Sequence, residues 1–154
     1  MIINLISIGS KPNVWESDSI KFYTRQLPKS FNINFTYIKN LSSPKLSKRE
    51  IIKKESIMLL EKVPKDSYLI SWDSSGKQVS SADFANLIRH RIQTNKSVCF
   101  LIGGSHGFSE EIKQKSDMVL SASLLTFPHK LFRLILVEQI YRAHTILANM
   151  PYHK

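Results

Sequence analysis

Val98-Cys99-Phe100-Leu101-Ile102-Gly103-Gly104-Ser105-His106-Gly107-Phe108 is the stretch whose reading decides the fold. The opening apolar run is short, branched and aromatic, which predicts a strand buried on both faces, as in a parallel sheet. It stops at Gly103-Gly104. Ser109 then stands where a helix N-cap belongs, with Glu110 and Glu111 in the first turn. Glycines at the carboxyl end of a buried strand let a ligand approach the backbone, and in open α/β sheets that edge is where ligands bind. A tight turn needing positive φ explains the same glycines. Both readings stand at this point.

Working outward, strands and helices alternate. Ile2–Gly9 reads as a strand and Val14–Leu27 as an amphipathic helix stopped by Pro28. Phe31–Ile38 is a half-buried strand near an edge. Ser47-Lys48-Arg49-Glu50 is a capping box that predicts a helix to about Val63, before Pro64. Ser67–Trp72 predicts a short strand and Asp73–Lys77 a turn. Ser80 or Ser81 caps a helix to about Thr94, and a short helix follows the glycine loop. Met118–Ser121 is a further strand, and a last helix runs from about Pro128 to Ala148. Strands separated by helices imply a mostly parallel sheet with helices on both faces, and nothing marks a linker within 1–154. One α/β domain is expected. The last helix carries Leu131, Phe132, Leu134, Ile135, Leu136 and Val137 all around its axis, which predicts burial on every side. A homodimer is the economical way to cover the side away from the sheet.

The 154 residues carry 22 Lys and Arg against 12 acids, a formal charge of +10. Such an excess points to a polyanion, most often nucleic acid. Lys45, Lys48, Arg49, Lys53 and Lys54 cluster in one segment. No apolar run approaches a membrane span, and the apolar start has no basic leader, so it reads as a strand rather than a signal peptide. The single cysteine, Cys99, excludes an internal disulfide framework and fits a reducing cytoplasm.

Three strand-to-helix loops converge on one edge: Trp72–Lys77, Gly103–Phe108 and Ser121–Pro128. Small hydroxyl residues and free amides in the third suit an adenosine, although an ordinary connection has the same composition. The histidines lack the spacing and cysteine partners of a zinc site, so no metal is expected. Neither a Walker loop nor a nucleophile elbow is present, which argues against P-loop and serine-hydrolase chemistry. Arg142 follows Glu138 by four residues, as an intrahelical ion pair does.

Four stretches taken in order then carry a resemblance. They are Phe100–Gly107; Leu120-Ser121-Ala122-Ser123-Leu124-Leu125-Thr126-Phe127-Pro128-His129; Glu138-Gln139-Ile140-Tyr141-Arg142-Ala143; and Pro151-Tyr152-His153-Lys154. Together they resemble the RlmH family, SPOUT-class methyltransferases of a pseudouridine in large-subunit ribosomal RNA. The likeness spans the whole chain, including Asp73–Ser81. It implies a C-terminal trefoil knot, which periodicity does not show and which breaks the usual rule against threaded chains. It also implies a cytoplasmic homodimer, S-adenosylmethionine as methyl donor, and N3 of the pseudouridine, on assembled ribosomes, as acceptor.

The family's cofactor contacts map onto Trp72, Gly103, Ala122, Ser123, Leu124, Leu125, Thr126 and Phe127. The RNA contacts map onto Arg142, Tyr152, His153 and Lys154, with His129 or His153 as candidate general base. Trp72 stands where an aliphatic residue is common, and Lys154 where arginine is frequent, which keeps the charge but loses the bidentate fork. The alternative in another class is a non-catalytic, knotted RNA- or ribosome-binding protein, for which Trp72 is the only support.

Overall fold

The structure is a computed structural model and describes residues 1–153, with His153 described in its backbone only. Lys154 and the His153 side chain, two of the expected RNA contacts, therefore lie outside the described residues. The strands are β1 (Ile2–Ile8), β2 (Asn32–Ile38), β3 (Tyr68–Gln78), β4 (Val98–Ile102) and β5 (Met118–Ser121). The helices are α1 (Val14–Thr24), α2 (Lys48–Leu60), α3 (Ser81–Gln93), α4 (Glu110–Lys115) and α5 (His129–Leu147), followed by a single tight turn at Pro151–His153. All strand pairs are parallel, in the order β2-β1-β4-β3-β5. β2 is an edge strand, as its half-polar alternation foretold.

Side chains of β4 alternate between two cores, which is why it reads as continuously apolar. Val98, Phe100 and Ile102 meet Ile20, Phe84, Ile88, Leu136, Val137 and Ile140 from α1, α3 and α5. Cys99 and Leu101 meet Leu59 and Ile112 from α2 and α4. Burial pushes the Cys99 thiol up to about 12, so it stays protonated and inert. Among the described residues, no helix is long and apolar enough to cross a membrane.

The caps form where the sequence placed them. Ser47 and Glu50 make a reciprocal capping box on α2, and Ser80 does the same with Asp83 on α3. α1 and α2 end about three residues short of their expected limits, at Thr24 and Leu60.

One expectation fails. Asp73–Lys77 is not a turn that ends the third strand. β3 continues to Gln78, with Trp72 and Lys77 both opposite Leu120 and the residues between them bulged out. Gly76 is required there because a Cβ would lie 2.5 Å from the Leu120 carbonyl carbon. α5 is buried on its sheet side, the side that a single chain can cover. Leu136, Val137, Ile140 and Ala143 face the sheet, while Leu131 is 39% exposed and Leu134 and Ile135 are half-buried.

The position that reads as the least apolar of that helix is instead fully buried. Arg133 has 0% exposure, and its Nη2 lies 2.7 Å from Oε1 of Glu16, a carboxylate that is also wholly buried. Nη1 donates to Ser7 Oγ at 3.3 Å and to the Ser10 carbonyl at 2.9 Å. The guanidinium also sits 4.8 Å from the centre of the Tyr37 ring. One side chain thus joins α5 to β1, α1 and β2.

Removing one member strands the other charge in the core, at a cost of about 3–5 kcal/mol. Arg133→Met should therefore lower the urea midpoint sharply, and Glu16→Leu with Arg133→Met should recover part of the loss. Additive losses in the double variant would show that the pair is not coupled.

Candidate active site

The carboxyl ends of β3, β4 and β5 open into one cleft at the edge predicted from the glycine stretch. Its cavity volume is about 210 Å³, and it opens to solvent at its mouth. Trp72 and Phe132 form one wall, Gly103 and Phe108 another, and Ser121–Phe127 the rim. Of the expected cofactor contacts, Trp72, Gly103, Ala122, Ser123, Leu125, Thr126 and Phe127 line the cleft. Leu124 does not; it points outward, 88% exposed.

The loop after β5 is built to leave its amides free. Ser121 Oγ donates to the Ser123 carbonyl at 3.0 Å, and Ser123 Oγ accepts the Leu125 N–H at 2.9 Å. No backbone–backbone hydrogen bond holds Ala122–Phe127 among the described residues. Pro128 then occupies the N-cap position of α5, and no side chain caps the helix there.

Trp72 packs against Phe84, Phe100 and Phe132, with ring centres 5.6–6.3 Å apart. Its indole Nε1 is buried and has no hydrogen-bond partner. A buried donor without an acceptor costs free energy unless something supplies one, and an adenosine placed in this cleft brings several acceptors. The donor set and the free amides thus suit an adenosine-bearing ligand.

The glycines divide their labour. Gly107 has φ +77°, a conformation that glycine adopts without strain. Gly103 and Gly104 have no such angle. A Cβ on Gly103 would press on the Phe108 ring at 3.1 Å, and one on Gly104 would come 2.5 Å from Oε2 of Glu55. Neighbouring side chains, as well as any ligand, explain those two glycines.

His129 lies at the cleft where α5 begins. Burial pushes its imidazole below the ordinary value of 6.5, the Arg133 charge lowers it further, and Glu55 opposes them. It is therefore neutral at cellular pH. Asp73 flanks the same opening. Burial pushes its carboxyl up, but hydrogen bonds from Ser75 and the charge of Lys113, 3.7 Å away, leave it below the usual range.

The expected RNA contacts are elsewhere in the same chain. Arg142 pairs with Glu138 at 2.7 Å, as the i,i+4 spacing foretold, and Tyr152 donates to the same carboxylate at 3.0 Å. Tyr152 also packs on Tyr141, with ring centres 4.8 Å apart. Arg142 lies about 20 Å along α5 from His129, given ~1.5 Å of rise per residue.

Sequence reasoning passed over Glu16, Glu55 and Arg133. The signal was present: each is a charge set into an apolar helical stripe. Glu16 precedes Ile20 by one turn, Glu55 stands between Ile51 and Leu59, and Arg133 interrupts Leu131–Val137. Among the described residues, no three His, Cys, Asp or Glu side chains gather as a metal site requires.

Comparison with known proteins places this geometry. A family described as predicted SPOUT methyltransferase matches residues 1–153. The ribosomal RNA large subunit methyltransferase H of Acholeplasma laidlawii is 38% identical over 156 aligned residues, and that of Clostridium botulinum strain 657 is 37% identical over 159. Both alignments cover the whole of each chain.

The electrostatics of His129 can be checked directly. Its imidazole should titrate below 6.5 by NMR, and Glu55→Gln should move it lower still, because the carboxylate now favours the charged form. Since folding favours the neutral ring, its contribution to stability should fade as pH drops through about 6.5, the unfolded value. An unchanged or raised titration in Glu55→Gln would refute the assignment.

Proposed function

The chain belongs to the SPOUT methyltransferase family, and from that premise we propose that it methylates N3 of a pseudouridine in large-subunit ribosomal RNA. The full-length likeness to large-subunit rRNA methyltransferases carries this reading. The charge of +10 and the adenosine-suited cleft agree with it.

S-adenosylmethionine, the family's methyl donor, supplies when bound an electrophilic methyl on a sulfonium. Trp72 and the amides of Ala122, Ser123, Thr126 and Phe127 would hold its adenosine end, with Gly103 lining the cleft. The protein's part is then largely placement, because an in-line approach at about 3 Å accounts for much of the rate. It must also remove a proton, since a protonated imide nitrogen is a poor nucleophile. His129, neutral and at the cleft, takes the N3 proton on this reading, and the methyl replaces it on nitrogen. His153 stays the alternative base; its side chain lies outside the described residues.

The knot implied by the family agrees with β3, which carries its bulge and Gly76 directly against the backbone of β5. Arg142 and Tyr152, which pack on each other, are too far along α5 to serve their own cleft. A homodimer that brings one tail to the partner's cleft resolves this, and the exposed or half-buried Leu131, Leu134 and Ile135 offer it an apolar face. Cytoplasmic work on assembled ribosomes completes the proposal.

Purified protein with labelled S-adenosylmethionine and ribosomes from a strain lacking the enzyme should label large-subunit rRNA; no label would overturn the reading. His129→Ala should lower the single-turnover rate about 10²–10⁴-fold if it is the base, and a full rate would exclude it. Deleting Tyr152–Lys154 should leave cofactor binding by calorimetry near normal while abolishing rRNA methylation. A truncated protein that methylates at the normal rate would show that the tail is only a frayed end.

A further inference from the structure

A second cavity, about 410 Å³, lies beside the cofactor cleft and shares Ser105 with it. Asn40–Pro44, Ile51, Glu55 and His106 complete its lining. Glu55 is the unusual member. It is only 4% exposed, and Oε1 accepts the Leu41 N–H at 3.0 Å. Oε2 has no hydrogen-bond partner, and no cation forms an ion pair with the carboxylate among the described residues. The missing Cβ of Gly104 gives that oxygen its room. The carboxylate keeps acceptor capacity beyond the Leu41 bond, which N–H donors of a ligand can use.

Lys45, Lys48, Arg49, Lys53 and Lys54 stand exposed in the adjoining segment and add positive charge to that side of the protein. Among the described residues, no three His, Cys, Asp or Glu side chains gather here. Among the four RNA bases, guanine alone presents an imino and an amino donor side by side. That edge matches a carboxylate in a bidentate pair.

We propose that this cavity is a second base subsite, in which Glu55 reads the Watson–Crick edge of a guanine close to the nucleotide being methylated. The inference rests on the proposed RNA substrate and adds a specificity residue to it.

Fluorescence anisotropy on single-stranded uridine octamers tests it, with the central position guanosine, inosine or uridine. The intact protein should bind the guanosine octamer about tenfold tighter than the all-uridine one. Inosine, which lacks the amino donor, should fall between. Glu55→Gln keeps the side chain's shape but opposes the guanine amino group with its own. It should lose the preference while binding the all-uridine octamer unchanged. No preference in the intact protein, a preference retained in Glu55→Gln, or an equal loss for all three octamers would overturn the proposal.

Should Glu55→Gln not fold, amide resonances of the intact protein decide. Those of Leu41, Ser105 and His106 should shift with the guanosine octamer and not with the uridine one; equal shifts or none would overturn the subsite. These octamers contain no pseudouridine and no methyl transfer is read. Failure here therefore leaves the methyltransferase reading intact, and a failed methylation assay does not erase a measured guanosine preference.

Discussion

The buried contact between Arg133 and Glu16 is the constraint on which the remaining architecture depends. Two charges with essentially no exposure are placed where the first helix, the end of the first strand and the last helix meet. Such pairs rarely add net stability over a hydrophobic replacement, because desolvation offsets their attraction. They do penalise wrong assembly heavily. Any packing of α5 that parts the guanidinium from Glu16, Ser7 and Ser10 leaves two buried ions unpaired. α5 begins at the cleft, so fixing its register also fixes His129, one helical turn earlier.

The same logic of excluded alternatives governs the glycine loop. Gly104 lacks a side chain because the Glu55 carboxylate occupies the position a Cβ would need, and Gly103 because Phe108 packs there. Only Gly107 requires the left-handed backbone. The loop is therefore shaped from beneath by α2 as much as by any ligand above it. The second cavity and the cleft both take Ser105 of this loop as lining.

The elements that sequence alone made legible were those with local causes. Capping boxes at Ser47 and Ser80, the doubly buried β4 and the polar edge strand β2 follow from side-chain chemistry within a few residues. What escaped was non-local. Asp73–Lys77 has the composition of a turn, and only the backbone of β5 pressing on Gly76 holds it in the sheet. The cleft loops were foreseeable because parallel strands deliver their carboxyl ends to one edge. The paired charges Glu16 and Arg133 were not, since a charge within an apolar stripe shows that it is buried but not what it meets.

Electrostatics joins these observations into one requirement. An RNA-binding surface needs cations, and each cation near a histidine makes its protonated form less favourable. The exposed cations of the +10 chain suit a polyanion, whereas Arg133, wholly buried against Glu16, acts on His129 from inside and adds to the effect of burial in lowering it. Glu55 works against the second effect, and its carboxylate is turned toward the glycine loop. The balance differs once RNA enters, because incoming phosphates add negative potential and favour the imidazolium. A base that must accept a proton only after its substrate arrives gains from starting below its ordinary value. If His129 is the base, as proposed above, it then moves toward protonation as the phosphates approach, while buried Arg133 holds it low beforehand.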